Sequence, residues 1–533
     1  MNAETMCRVP CELTFHASGS YGNPFAEVDF GAVFTLPDGS TRRVPGFWDG
    51  GDCWKLRYCG ETGVHRYATF SNDAGLNGLT GEVRVTPYEG ENPLYVHGAI
   101  CRKGDDLHLS YADGTPFFWL ADTWWMGLTT RLRFPEDFAA LTADRVRKGF
   151  NVVQIVAGLY PDMLPFDERG ANEAGFPWNR EFTEINPAYF DMADRRIRHL
   201  AEAGITPCVV GSWGFFMKFA GKDVLKKHWK NLIARWSAYP VAWCVAGEAN
   251  MTFYDDASVP YEEHLRRSRH DWNDMVEFVR ENDPFGRLVT IHPTQRGHEQ
   301  IENESLLDLD MLQTGHGGAT SLVPQMKMIR EATARKKLPV INSECCYEGI
   351  CGSSYSDVQR YVFLSDFFLG TAGHTYGANG IWQVNGLEKP YGVSPHGAAW
   401  GDTSWKEAAA LPGSGQIGMC ARWLTSFDWT KAEQHPEWVE KPCSCEALDG
   451  HFCIGVPRSY RLFFKPNFGG DFWGTVRILG LEPDVRYCAC RFNPITGAET
   501  DLGEVVPEAD GSWRFPRVDA FQDWLYALRA IEA

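Results

Sequence analysis

From about Pro116 to Phe427 the chain repeats one unit: a helical stretch, a glycine, then a short apolar run. In "FPEDFAALTADRVRKG" the helix stops at Gly149 and "FNVVQIVAG" follows. In "PAYFDMADRRIRHLAEAG" one face carries Phe190, Ala193, Ile197 and Leu200, the helix stops at Gly204, and "ITPCVVGSW" follows. A glycine there supplies the left-handed residue that ends a helix, and the next run enters a sheet. Apolar runs without alternation read as strands buried on both faces, as in a parallel sheet covered by helices. Further runs of this kind are "FFWLAD" at the start, then "VAWCVAG", "RLVTIHP", "DMLQTG", "LPVINS" and "HTYGANGIWQ", which makes eight. The expected fold class is α/β, a (β/α)8 TIM barrel. An open doubly wound sheet is the alternative, but no G-x-G-x-x-G follows any strand.

The flanks read differently. Residues 1–98 are expected to form a β-sandwich: Val28, Phe30, Ala32 and Phe34 alternate onto one face, and "PDGS" (Pro37 to Ser40) makes the turn. The barrel is assigned to 99–427. Residues 428–533 return to short strands ("HFCIGVP", "YRLFFKP", "TVRILG", "RYCACRF") and are expected to form a second, smaller sandwich-like β domain.

The 533 residues carry 51 Lys+Arg against 69 Asp+Glu, a net charge of −18, which argues against nucleic acid and anionic membrane as partners. Neither a signal peptide nor an apolar run of membrane-spanning length is read in the chain. The 16 cysteines are scattered without paired C-x-x-C spacing, so no metal site is expected, and the thiols are read as those of a reduced, cytoplasmic protein. A homo-oligomer is compatible with this composition. Aromatics reach 14%, with 20 Trp, a surplus suited to sugar-binding surfaces or to large cores.

In such a barrel, chemistry gathers where the strands end. Those ends carry Asp122 with Trp124, then Gln154, Trp213, Glu248, His292, Gln313 with His316, Glu344 with Tyr347, and finally His374, Tyr376 and Trp382. Almost all of these can hydrogen-bond a hydroxyl or stack on a sugar face. Two are carboxylates that follow apolar strands: Glu248 after "VAWCVAG" and Glu344 after "PVINS". Cleaving a glycosidic bond takes one carboxylic acid to protonate the leaving oxygen and one carboxylate to attack the anomeric carbon or activate water. Strands four and seven face each other across a barrel, so these two are the expected catalytic pair. The others are expected to bind substrate.

"PFFWLADTWWMGL", "KGFNVVQIVAGLYPD", "GEAN", "INSECCYEG" and "HTYGANGIWQ" together resemble the apiosidase-like glycoside hydrolases, relatives of the clan A barrels. The segment "NPFAEVDFGAVFTLPDG" is similar to a β-sandwich often fused ahead of that barrel. The resemblance implies hydrolytic removal of a terminal glycosyl residue from a plant-type oligosaccharide or glycoside, without cofactor, by a two-carboxylate retaining mechanism. It maps the acid/base to Glu248 and the nucleophile to Glu344. One departure stands out: many clan A enzymes place Asn before the acid/base, and here Gly247 stands there. Two other readings compete, a metal-dependent barrel hydrolase using His292 and His316, and a sugar-binding protein without catalysis.

Overall fold

The computed structural model describes residues 2–468, 475–518 and 520–531. Its centre is an eight-stranded sheet: β1 (Trp119–Thr123), β2 (Val152–Val156), β3 (Thr206–Val210), β4 (Ala242–Cys244), β5 (Val289–Thr290), β6 (Asp310–Gln313), β7 (Val340–Glu344) and β8 (Gly373–Tyr376). Hydrogen-bonded neighbours run β5-β4-β3-β2-β1-β8-β7-β6, and every pair is parallel. The barrel therefore closes between the first and last strands. At the remaining seam, between β5 and β6, Asp308 takes over. Its backbone N–H donates to the Val289 carbonyl at 2.9 Å, and its carboxylate accepts the Val289 N–H at 2.8 Å. The Thr290 hydroxyl adds a bond to the Leu309 carbonyl at 3.0 Å.

Seven longer helices sheathe the strands: α1 (Glu136–Lys148), α2 (Pro187–Glu202), α3 (Lys222–Trp236), α4 (Tyr261–Asn282), α5 (Leu322–Ala334), α6 (Ser356–Phe368) and α7 (Pro412–Leu424). Gly149 ends α1 at φ 91°, a backbone state that glycine alone adopts without strain. Phe190, Ala193, Ile197 and Leu200 of α2 are all fully buried against the strands.

In the N-terminal sandwich a five-stranded sheet and a three-stranded sheet share a core that includes Phe15, Phe30, Phe34, Trp54 and Tyr58. It meets the barrel through a buried charge network. Arg57 contacts Asp194 of α2 at 2.5 Å, and Arg235 of α3 contacts the same carboxylate at 2.8 Å. At the other end a six-stranded sheet packs on α6: Tyr361 and Phe368 interlock with Phe452 and Phe464. Arg360 forks onto Asp523 at 2.7 and 2.8 Å. Among the described residues no helix is long and apolar enough to cross a membrane.

Candidate active site

After β4 the chain still follows the sheet, and the Gly247 N–H donates to the Ser212 carbonyl at 2.9 Å. It then turns sharply at Glu248, whose φ of 43° lies in the left-handed region. For a residue with a side chain this costs on the order of 1–3 kcal/mol and persists only where neighbours enforce it. Here the Ala249 carbonyl accepts Trp272 Nε1 at 2.7 Å, and the Asn250 N–H donates to Gln300 at 3.1 Å. Gly214 makes room: a Cβ there would stand 2.4 Å from the Glu248 carbonyl oxygen. The turn aims the carboxyl group at two neutral donors, Trp213 Nε1 on Oε2 and Gln313 Nε2 on Oε1, each at 3.0 Å. Burial, followed by the charge of Glu344, pushes the Glu248 pKa up despite those donors.

Glu344 closes β7 in the opposite environment. His316 Nε2 lies 2.9 Å from its Oε1, and His292 Nε2 lies 3.2 Å from its Oε2, the latter a close contact without hydrogen-bond alignment. Burial alone would raise this carboxyl, but the close His292 contact, the His316 hydrogen bond and the charge of both rings overturn it and hold Glu344 far below the ordinary carboxylate range. In return Glu344 raises His316, against the effect of burial. One site thus holds two carboxyls whose surroundings drive their pKa values apart, the pattern that separates an acid from a nucleophile.

Both carboxyls line a cavity of about 300 Å³, within the range of small-molecule sites. Its floor is aromatic. Trp125 donates to the Tyr347 hydroxyl at 3.0 Å and stands edge-on to Trp213 at 5.3 Å. Burial and the Glu344 charge hold the Tyr347 hydroxyl well above its usual pKa, so it keeps its proton. Gln313 Oε1, His316 Nδ1 and Trp382 Nε1 are buried around this space without a protein partner. Cavities of about 380 and 360 Å³ lie elsewhere, against α7 and beneath the N-terminal sandwich; the first has Asp428 as its one carboxylate, and in the second Asp38 and Glu61 stand among Arg8, Arg42 and Arg287, with Glu61 paired to Arg8 at 2.9 Å.

Of the residues expected at the strand ends, Trp213, Glu248, Gln313, His316, Glu344, Tyr347 and Trp382 line this cavity, and His292 supports Glu344 from below. Five others lie elsewhere. Asp122 is fully buried behind the sheet, paired with Arg145 of α1 at 2.6 Å and with Trp124 Nε1 at 2.7 Å. Trp124 packs edge-on against Phe138 of α1. His374 bonds Asp366 of α6 at 2.8 Å, and the Tyr376 hydroxyl donates to Glu348 at 2.6 Å. The reason is parity: side chains alternate across a strand, and Asp122 and Tyr376 are register partners facing the helices. Gln154 does face inward, but it sits deeper, bonded to the Ser343 carbonyl at 3.0 Å.

The same parity identifies a residue that the sequence reading passed over. Trp125, not Trp124, continues the inward series that runs through Ala121 and Thr123. Asp162, Phe253, His396 and Trp400 also line the cavity, on loops where no strand periodicity could have pointed to them. Gly247 has a plain cause as well. A Cβ at that position would meet the Trp213 ring at 2.2 Å, so the space an Asn would occupy is filled by the indole that holds Glu248. Among the described residues, no group of three or more His, Cys, Asp or Glu is arranged to hold a metal ion.

Solved structures with this architecture include a Bacteroides vulgatus ATCC 8482 protein assigned to the glycoside hydrolases. It is 18% identical, with a TM-score of 0.72 over 99% of this chain and 100% of that one. A glycoside hydrolase family 5 protein from the same organism is 19% identical, with a TM-score of 0.67 over 83% of this chain and 94% of that one. No curated protein matches the sequence. These likenesses establish the fold, a (β/α)8 barrel of the kind glycoside hydrolases use. Residues 104–431, more than half of the chain, match the family model described as apiosidase-like, catalytic domain, and the chain belongs to that family. It is a glycosidase acting on carbohydrate. Residues 9–72 match a second model, a domain of unknown function (DUF5060).

Proposed function

We propose that the protein is an exo-acting, retaining glycosidase that removes a terminal glycosyl residue from a plant-type oligosaccharide or glycoside, with Glu344 as nucleophile and Glu248 as acid/base. The observation that carries this is the opposed environment of the two carboxyls: two histidines at Glu344, only neutral donors at Glu248. Glu344, kept ionised, attacks the anomeric carbon while Glu248 passes its proton to the departing oxygen. Once Glu344 is esterified its negative charge is gone, and with it one cause of the raised Glu248 pKa. Glu248 then works as the base that activates water.

A screen of aryl pentofuranosides and pentopyranosides, alongside hexosides, identifies the sugar. On the best of these, NMR of the first-formed anomer should show retention. Glu344→Ala should be inactive on every substrate. Glu248→Ala should lose most activity on poor leaving groups and least on activated aryl glycosides, with azide restoring turnover on the latter. Equal losses on good and poor leaving groups, with no azide effect, would refute the assignment of Glu248.

A further inference from the structure

Three sulfur atoms meet where the C-terminal β domain packs on the barrel. Cys443 and Cys445 belong to the loop 439–451 of that domain, and Met326, 117 positions before Cys443, belongs to α5. Cys443 Sγ lies 3.9 Å from Cys445 Sγ and 3.9 Å from Met326 Sδ. Neither cysteine is in a disulfide. The loop is held from both sides. Cys445 keeps a left-handed backbone, φ 60°, which costs a residue with a side chain on the order of 1–3 kcal/mol and persists only where neighbours enforce it. Arg330 of α5 donates to the Ser444 carbonyl, between the two cysteines, at 2.6 Å, and Lys327 pairs with Glu446 at 2.5 Å. From α6 the Tyr361 hydroxyl donates to Met326 Sδ at 3.2 Å, which fixes the thioether and leaves it a second lone pair. Met326 and Cys445 are buried, while Cys443 is partly exposed and gives access from solvent.

A cation seated in a trigonal plane between donors 3.9 Å apart stands about 2.3 Å from each, the length of a metal–thiolate bond. A structural zinc site takes four ligands, and among the described residues no His, Asp or Glu joins the two cysteines in such a set. Hard cations take oxygen. Two thiolates and a thioether suit a soft monovalent ion, Cu(I) above all. We propose that Cys443, Cys445 and Met326 form a three-sulfur site for Cu(I), which when filled staples the C-terminal β domain to α5. Cysteine spacing hid it, because the third donor is a methionine on another domain.

The test uses the full chain, reduced and free of oxygen, with Cys351→Ser and Cys488→Ser removing the two exposed thiols. Cu(I) is supplied in competition with bicinchoninate, so no turnover is needed. One equivalent should bind, and X-ray absorption should show three sulfurs at about 2.3 Å. Cys443→Ser and Cys445→Ser should each weaken that binding at least about hundredfold, and Met326→Leu, a swap of similar volume that keeps the core, about tenfold. Cu(I) should raise the melting temperature of the parent protein and not that of the cysteine variants. Copper held equally well by all three variants sits on other thiols and overturns the site. A parent protein that takes no Cu(I) from bicinchoninate overturns it too. If the cysteine variants lose the ion but Met326→Leu keeps full affinity, the staple between the domains is refuted.

Discussion

Gly247 and Trp213 show how one small residue sets the chemistry of its neighbour. The indole occupies the volume where a side chain at 247 would lie, and from there it donates to Glu248. Gly247→Asn should push the ring aside and remove that bond. We expect a fall in kcat of about 10²-fold with the fold intact, read by steady-state kinetics and near-UV circular dichroism. An active variant with an unshifted pH profile would mean that Trp213 does not control Glu248. The pH dependence follows from the two opposed shifts. Glu248 is raised, so as pH climbs it stays protonated beyond the ordinary carboxylate range, and activity falls only as its own pKa is passed. Glu344 is lowered, so it stays ionised as pH drops and places no activity limb near its ordinary value. The kcat/KM profile should therefore keep its activity through mild acid. Its alkaline limb should vanish in Glu248→Gln on an activated aryl substrate. An alkaline limb unchanged in that variant would assign it to another group.

Between strand and helix, the same residue types do a different job. Asp122 sits at a strand end and looked like a sugar ligand, yet it ties β1 to α1 through Arg145, both side chains without solvent exposure. Taking Asp122 away strips the Arg145 Nε of its partner while Asp144 still holds Nη1 at 2.6 Å, so the cost falls at the lower end for a broken buried pair, about 3 kcal/mol. Asp122→Ala should lower unfolding stability by that amount while the folded enzyme retains its KM, measured by denaturant titration and kinetics in the cold. Unchanged stability with lost activity would return Asp122 to the chemistry. The His374–Asp366 bond between β8 and α6 has the same character.

Across the molecule, the N-terminal sandwich is anchored by charges taken out of water. Asp194 receives Arg57 from the sandwich and Arg235 from α3, and despite its burial the two guanidiniums hold its pKa down to about 2. A depressed carboxyl contributes stability that is complete above its unfolded pKa of about 3.9 and is lost as pH falls through its folded value. The shift corresponds to about 2 kcal/mol. Asp194→Ala takes away the carboxylate that Arg57 and Arg235 share and leaves Arg57 to Glu12 at 2.8 Å and Arg235 to Asp191 at 3.1 Å; it should cost about 3 kcal/mol, the lower end for a broken buried pair. Differential scanning calorimetry should show the variant melting earlier, and the wild type losing stability between about pH 4 and pH 2. A melting profile insensitive to both would show that Asp194 does not hold the two domains together. We propose that both flanking β domains brace the barrel and carry no chemistry.

Much of this was legible in the chain. The helix–glycine–strand repeat is local physics, so Gly149 and Gly204 marked helix ends that the structure reproduces. Glu248 and Glu344 were visible because an acid directly after an apolar strand is chemically out of place. What stayed hidden depends on contacts between distant segments. Whether Trp124 or Trp125 faces inward is a question of register, and one residue reverses it. Phe253 lies on the loop after β4 and His396 and Trp400 on the loop after β8, and the two loops become neighbours only once the barrel closes. The raised and lowered pKa values of the two glutamates belong to no local motif, because burial and the charges of His292 and His316 exist only in the packed molecule.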